Sequence, residues 1–242
     1  MRNVVKTIEK RTAIYEKHPL FAFLRDSSIE PEQRLAFVPS VAHYVITFGD
    51  LCKHVLREEP ANDRFQEIVN AQTYEEAEHW KWFIADLDKL GHDPIVRFSE
   101  ALLFLWSDDT ARSRVLSYQL CRLAMGASSL QKLVVVHCAE ATANVTVKHV
   151  VIAGKEWTAK HGKRLSFFGG GHDEAEDDHT LWETEILQLI NELQLDRAEE
   201  ERLMGVVNEA FDYFTAFIDE LFAMAKAGRR MQGASPELQP QA

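Results

Sequence analysis

The sequence is assigned to the all-α class, because helices are predicted along nearly its whole length. Apolar residues recur at helical spacing in segment after segment of the 242 residues, and no convincing alternation of apolar and polar residues indicates a strand. The composition, 46% apolar and 27% charged, is typical of a globular protein rather than of a disordered chain. We expect one helical domain of about seven or eight helices over residues 1–227.

The N-terminal half contains four predicted apolar segments, each bounded by a helix-breaking residue. His18-Pro19 ends the first, Pro31 suits the first turn of the third, and Gly91 follows the last helical residue of the fourth. Pro39 is expected to kink the third segment. The segments are a helix over Asn3–Lys17, a short piece over Leu20–Leu24, and helices over Pro31–Arg57 and Asn62–Leu90.

The C-terminal half contains five more predicted helices and a tail. The helices cover about residues 94–106, 110–125, 129–161, 172–193 and 196–227. Residues 228–242 have no apolar periodicity and include two prolines, so we expect this tail to be disordered.

Charge and cysteine usage narrow the class of protein. The net charge of -11 argues against a nucleic-acid-binding surface and against an anchor on an anionic membrane. The longest apolar runs are too short for a bilayer, and the first ten residues lack the apolar core of a secretory signal. Cys52, Cys121 and Cys138 are widely spaced and form no CxxC pair, as is usual for reduced thiols. We therefore expect a cytoplasmic protein.

A histidine-bearing acidic stretch follows three consecutive glycines and is the strongest functional signal. His172, Glu176 and His179 are spaced i, i+4 and i+7, which places all three side chains on one face of the predicted helix. Two imidazoles on either side of a carboxylate on a single stripe are typical of a metal site.

Two further helices carry residues of the same chemistry. Glu76 precedes His79 by three residues and Glu75 precedes it by four, so either carboxylate can converge with the imidazole. Glu140 is a charged residue within an otherwise apolar helix. Two Glu-x-x-His helices with carboxylates from two others are the ligand plan of di-iron and di-manganese helical bundles. Carboxylates neutralise hard cations, and imidazoles add nitrogen donors that suit iron.

Several of these residues also have ordinary structural interpretations. The acidic runs at residues 75–78 and 173–178 could be a solvated helix face and a helix start stabilised by the helix dipole. Glu140 could pair with Arg122, and Cys138 could be a nucleophile or an inert buried thiol. His43 and Asp50, on the helix before the first motif, are candidates for lining a pocket.

Three stretches together resemble the haem-oxygenase-like superfamily. They are residues 75–83 continued by Asp86–Gly91, Cys138–Thr142, and Phe167–His179. The resemblance covers about residues 37–182. It is closest to the members that hold a non-haem di-iron centre, the haem-oxygenase-like di-iron oxidases or iron-containing redox enzymes. It implies a TenA-like helical bundle.

The resemblance also implies a ligand set. The implied metal ligands are Glu76 (or Glu75), His79, Glu140, His172, Glu176 and His179, holding two irons or an iron–manganese pair per chain and no haem. Many members place the first carboxylate seven residues before its histidine, where this chain has Gln72. At the position of Glu176, members often have Asp. Either a glutamate one turn from His79 substitutes for the first carboxylate, or the first iron site is incomplete.

The function implied is the oxidation of a small organic substrate by dioxygen, and a homodimer is expected by analogy alone. Two alternatives stay open. One keeps the fold without metal, as in TenA-like hydrolases and in the cofactor-independent oxidase of quinone-cofactor biosynthesis. The other is a metal-binding helical protein without catalytic activity.

Overall fold

The computed structural model describes residues 1–170 and 193–228, and these residues form helices without any strand. The all-α class is therefore confirmed for this part of the chain. Eight of the described α-helices have eight or more residues. The helices are α1 (Arg2–Tyr15), α2 (Pro19–Arg25), α3 (Pro31–Arg34), α4 (Ala42–Leu51), α5 (Arg64–Glu76), α6 (Trp80–Leu90), α7 (Phe98–Leu105), α8 (Ala111–Ala124), α9 (Ser129–His161) and α10 (Arg197–Ala227). The predicted helix at 172–193 and the predicted tail fall, apart from their end residues, outside the described part.

The 33-residue helix α9 runs through the centre of the fold and packs against α1, α2, α3, α5, α8 and α10. Four consecutive valine and leucine side chains, Leu133 to Val136, are all buried, so α9 is covered on every side at this turn. The buried apolar side chains from Met1 to Ala225 form one contiguous cluster around it.

Side-chain caps explain where the long helices begin. The side chains of Asp63, Ser128 and Asp196 accept hydrogen bonds from the backbone N–H groups three residues ahead, which would otherwise have no partner inside the helix. Gly162 ends α9 in the left-handed conformation that glycine adopts without strain. The predicted limits of α9 are confirmed.

The single helix predicted over Pro31–Arg57 is wrong, because the chain divides there into several pieces. After α3, residues Val38–Val41 form a 3₁₀ turn, and α4 is continued by a π-helical turn over Cys52–Leu56. Pro39 has no N–H to donate and its ring clashes with the carbonyl four residues earlier, so a continuous α-helix cannot pass through it. Helix α4 is therefore a separate element.

The single helix predicted over Asn62–Leu90 also divides, at residues 77–79. The N–H of His79 bonds to the carbonyl of Glu76 at 3.3 Å, and the N–H of Lys81 bonds to that of Glu78 at 3.1 Å, which is the tighter 3₁₀ spacing. The turn packs closely on α4, where a Cβ added to Gly49 would lie 3.0 Å from the Ala77 carbonyl oxygen. Glu76 therefore ends α5, and His79 precedes α6.

One helical stretch among the described residues, Pro31–Leu56, meets the length and composition of a membrane span, with a mean hydropathy of 1.4. Of its most apolar window, 61% is buried inside the protein. Core helices of soluble proteins pass the same test, so the stretch is weak evidence for a membrane span.

Candidate functional site

A cavity of about 100 Å³ lies between α4, the α5–α6 junction, α9 and the turn that follows α9. Glu76, His79 and Glu140, three of the residues expected to bind metal, all line it. The remaining lining residues are mostly apolar or aromatic: Tyr44, Val45, Phe48, Trp80, Ala139, Ala143, Asn144, Val147 and Phe167. The fold thus brings together side chains that are more than sixty residues apart in sequence.

Glu76 and His79 are in direct contact across the α5–α6 junction. The Nδ1 atom of His79 lies 2.9 Å from Oε2 of Glu76, and both side chains are largely buried, with 15% and 19% exposed. The indole of Trp82 stacks on the imidazole with the ring centroids 4.6 Å apart, which further fixes its plane. Glu75 is exposed, because each residue turns the helix by about 100°. Of the two alternatives, Glu76 is the one that lines the cavity.

Glu140 reaches the cavity from the opposite wall, on α9. It shares this wall with Ala143, Asn144 and Val147, which follow it at i+3, i+4 and i+7 and therefore lie on the same helix face. The alternative partner proposed for Glu140, Arg122, donates instead to Gln119 at 2.6 Å and also contacts Glu209.

Tyr44 contributes a protonated phenol to the cavity. Burial, together with the neighbouring Tyr15 and the carboxylate of Glu140, raises the pKa of Tyr44 well above its ordinary value. A neutral phenol can donate a hydrogen bond to an oxygen placed in the cavity. Sequence reasoning missed Tyr44, although it lies four residues before Phe48 on the apolar stripe of α4.

A buried carboxylate, Asp86, holds the turn that supplies Phe167. Asp86 is fully buried and accepts hydrogen bonds from the backbone N–H groups of Ser166, Phe167 and Phe168 at 2.8, 2.7 and 3.0 Å. Lys89 also donates to it at 3.0 Å. Three backbone donors on one carboxylate fix the path of the chain at this turn. Asp86 therefore positions Phe167 in the cavity wall.

Helix α9 accommodates this turn at a glycine. A Cβ added to Gly154 would lie 1.9 Å from the carbonyl oxygen of Phe168, so only glycine permits so close an approach. The turn that leads towards Gly170 is thus fixed from two sides, by Asp86 on α6 and by Gly154 on α9.

The three remaining predicted ligands, His172, Glu176 and His179, lie outside the described residues. Within residues 1–170 and 193–228, no group of three or more His, Cys, Asp or Glu side chains is arranged to hold a metal ion. Glu76, His79 and Glu140 therefore share a cavity without forming a complete ligand set of their own. Gln72, one turn before Glu76, has a buried Oε1 atom with no hydrogen-bond partner.

His43 and Asp50 are not among the described residues that line this cavity. Asp50 is exposed, because it is two residues beyond Phe48 and points about 200° away from it around α4. The Nδ1 atom of His43 lies 3.2 Å from the Ser117 hydroxyl, and its ring contacts Trp106 and Tyr118 edge-on. That these two residues line a pocket therefore stays a prediction.

Cys138 is an unsuitable nucleophile. It is fully buried, and burial raises the pKa of its thiol, so the thiolate that would react is disfavoured. Its neighbours Ala139 and Glu140 line the cavity, but Cys138 is not among the lining residues.

No protein-family model matches this sequence, and no curated protein matches it. The function of the chain therefore has to be inferred from the residues that meet at the cavity.

Proposed function

We propose that this chain is a non-haem di-iron, or iron–manganese, oxidase that uses dioxygen to oxidise a small organic substrate. One observation carries the proposal. Two carboxylates and an imidazole, from the α5–α6 junction and from α9, line one small cavity whose other walls are mainly apolar. Charged groups are rarely placed in such surroundings unless they are paired or bind a metal.

The donor types fit the proposed metals. Carboxylate oxygens and imidazole nitrogens are the ligands of di-iron and di-manganese centres in helical bundles. Glu76, His79 and Glu140 would hold the metal ions together with His172, Glu176 and His179 of the sequence motif. When bound, the metal pair would supply the reactivity towards dioxygen.

The remaining cavity residues have roles that do not depend on the metal. The rings of Phe48, Trp80 and Phe167 offer an apolar surface to a substrate. The neutral phenol of Tyr44 can orient an oxygen-bearing group by donating a hydrogen bond. Trp82 keeps the imidazole of His79 in a fixed plane.

Gln72 supports a centre with fewer carboxylates than in the family this chain resembles. It occupies the position where many members have the first carboxylate, and its amide is neutral. Its buried Oε1 lacks a hydrogen-bond partner in the described structure, and Gln72 is not among the residues that line the cavity. The proposal therefore assigns the first carboxylate to Glu76.

The burial of Cys138 argues against the metal-free alternative in its hydrolase form, which needs a reactive cysteine. A cofactor-independent oxidase or a metal-binding protein without catalysis has no supporting observation of its own at this cavity. Both alternatives are separated from the proposal by metal content and by dioxygen consumption.

The test is elemental analysis of protein produced with iron and manganese. We expect about two metal ions per chain in the unaltered protein, and clear losses in His79→Ala and Glu140→Gln. Matched controls are His54→Ala and Glu75→Gln, whose side chains are exposed, and these should retain the metal. An unaltered protein without metal would overturn the proposal.

A second measurement separates an enzyme from a metal carrier. The anaerobic ferrous protein is mixed with dioxygen, and both dioxygen consumption and the absorption spectrum are followed with time. We expect consumption by the unaltered protein and by both controls, and little by His79→Ala. A metal-loaded protein that consumes no dioxygen would contradict the oxidase and favour the metal carrier.

A further inference from the structure

Helix α7 presents an unusual apolar surface to solvent. None of its residues is buried, and it is followed directly by the exposed Trp106. Of the eleven large apolar side chains that are exposed in the described part of the chain, five lie between residues 95 and 106. They are Ile95, Phe98, Leu102, Leu103 and Trp106, which we call the α7 patch. Single exposed apolar residues are ordinary, but a contiguous patch marks an interaction site.

The α7 patch continues onto the neighbouring helices through His43. The ring of His43 contacts both Trp106 and Tyr118, each with ring centroids 5.8 Å apart. Tyr118 is 55% exposed on α8, and Ile46, one turn after His43 on α4, is also exposed. The apolar surface therefore spans parts of three helices, α4, α7 and α8.

The inner face of α7 packs against the rest of the protein. Phe104 and Leu105 pack against the core, and the hydroxyl of Thr110 and the guanidinium of Arg114 both hold the carbonyl of Leu105. The helix is thus attached along one side and at its C-terminal end, while its opposite face has no partner among the described residues. Such a face is stabilised when another apolar surface covers it.

The charges at the two ends of α7 favour a second copy of the chain as that surface. Arg97 precedes the helix, and Asp108 follows it; both are exposed. Arg97 donates to Glu100 through Nε and Nη2, which leaves further guanidinium donors towards solvent. Two α7 helices packed antiparallel about a two-fold axis would place each Arg97 beside the partner's Asp108. An isologous contact of this kind is self-complementary.

We infer that the α7 patch is a homodimer interface in which α7 pairs antiparallel with α7 of a second copy, and Arg97 of each protomer faces Asp108 of the other. This inference is independent of the proposed oxidase function, because no residue of the α7 patch lines the cavity. A membrane surface is a less suitable partner for the α7 patch than a second copy, because the chain carries a net charge of -11 and acidic residues follow α7.

The first experiment is sedimentation velocity over a dilution series of the full chain. We expect a dimer that dissociates on dilution. Leu103, 69% exposed, is changed to Glu, which should raise the dissociation constant about tenfold to a hundredfold. The control is Ile14→Glu on α1, where the side chain is 55% exposed and far from the patch in sequence, and it should leave the dimer intact. Circular dichroism confirms that each variant is folded.

The second experiment tests the antiparallel register by exchanging charges. Arg97→Glu alone and Asp108→Arg alone should each weaken the dimer, because like charges then face each other twice. An equimolar mixture of these two single variants should associate again, since each heterodimer restores two opposite-charge contacts.

Three results of these two experiments would overturn the inference. The unaltered chain could sediment as a monomer at every concentration, Leu103→Glu could leave the dimer unchanged, or the mixture of charge variants could fail to associate. Flotation of a monomeric chain with neutral phosphatidylcholine vesicles would instead identify a lipid surface as the occupant, and would also overturn it.

Discussion

The Nδ1 atom of His79 lies 2.9 Å from the carboxylate of Glu76, across a junction where one helix ends and the next begins. Both residues belong to the Glu-x-x-His motif, yet they do not lie on one continuous helix. The junction places the pair at the edge of the cavity, opposite Glu140 on α9. The two side chains of the motif are therefore positioned by a turn between helices, and their geometry depends on how closely that turn packs against α4.

Metal binding is expected to stabilise the fold. Addition of Fe²⁺ under anaerobic conditions, or of Mn²⁺, should raise the free energy of unfolding by about 2.7 kcal/mol when free metal is about one hundred times its dissociation constant. His79→Ala should remove most of this increment, whereas His54→Ala should keep it. Urea unfolding with and without metal measures the effect. Equal stabilisation of the His79 variant would show that the metal binds elsewhere.

Removal of the Asp86 carboxylate is expected to destabilise the protein strongly. Asp86→Ala leaves the three backbone N–H groups of residues 166–168 without their acceptor, so the free energy of unfolding should fall by about 3 kcal/mol. Urea unfolding monitors the loss. Asp88→Ala, at an exposed position of the same helix, is the control and should change stability by less than about 0.5 kcal/mol. Similar effects of the two substitutions would refute the assigned role.

Two glycine substitutions are expected to have opposite signs. Gly154→Ala forces a methyl group against the backbone of Phe168 and should cost at least about 2 kcal/mol. Gly205→Ala, on α10 with open space around it, should stabilise by up to about 1 kcal/mol through helix propensity. Thermal unfolding of both variants decides the point. A neutral Gly154→Ala would mean that the turn at residues 165–169 can move away from α9.

Stability is expected to fall as the pH drops below about 6.5, the ordinary pKa of histidine. Burial of His149, together with Arg25 at 3.0 Å from its Nδ1 atom, lowers the pKa of this imidazole. The unfolded chain therefore binds a proton at a higher pH than the folded chain. As a result, the free energy of unfolding decreases as the pH falls from about 6.5 to the lowered pKa of the folded state. The carboxylate of Glu16 acts in the opposite direction, as the weaker influence.

Unfolding in urea on either side of pH 6.5 measures this loss. His149→Gln should flatten the pH dependence, although His43, whose pKa is lowered by partial burial and by Arg114, leaves a residual slope of the same sign. A His149→Gln variant with the full slope would assign the pH dependence to other groups.

Much of the architecture could be predicted from local sequence. The limits of α9 and α10 follow from capping residues and from apolar periodicity, and these are properties of neighbouring residues. The position of Glu140 was predictable for a similar reason, since a single carboxylate within an apolar helix faces either a partner or a cavity. For the all-α class, short-range physical chemistry was sufficient.

The parts that escaped prediction depend on contacts between distant residues. The division of the helix at residues 77–79 depends on close packing against Gly49, and the role of Asp86 depends on amides eighty residues further along the chain. Neither contact leaves a periodic trace in the sequence. Asp50 is exposed because two residues of helix beyond Phe48 are enough to turn a side chain away from the cavity.

Helix α6 holds two of the residues that line the cavity, His79 and Phe167. His79 immediately precedes the first turn of α6. Asp86, in the middle of α6, accepts a hydrogen bond from the backbone N–H of Phe167. Because the turn that contains Phe167 also packs against Gly154 on α9, α6 is tied through it to the helix that carries Glu140. A change in the width of the cavity would therefore require the turn at residues 165–169 to separate from one of these two helices.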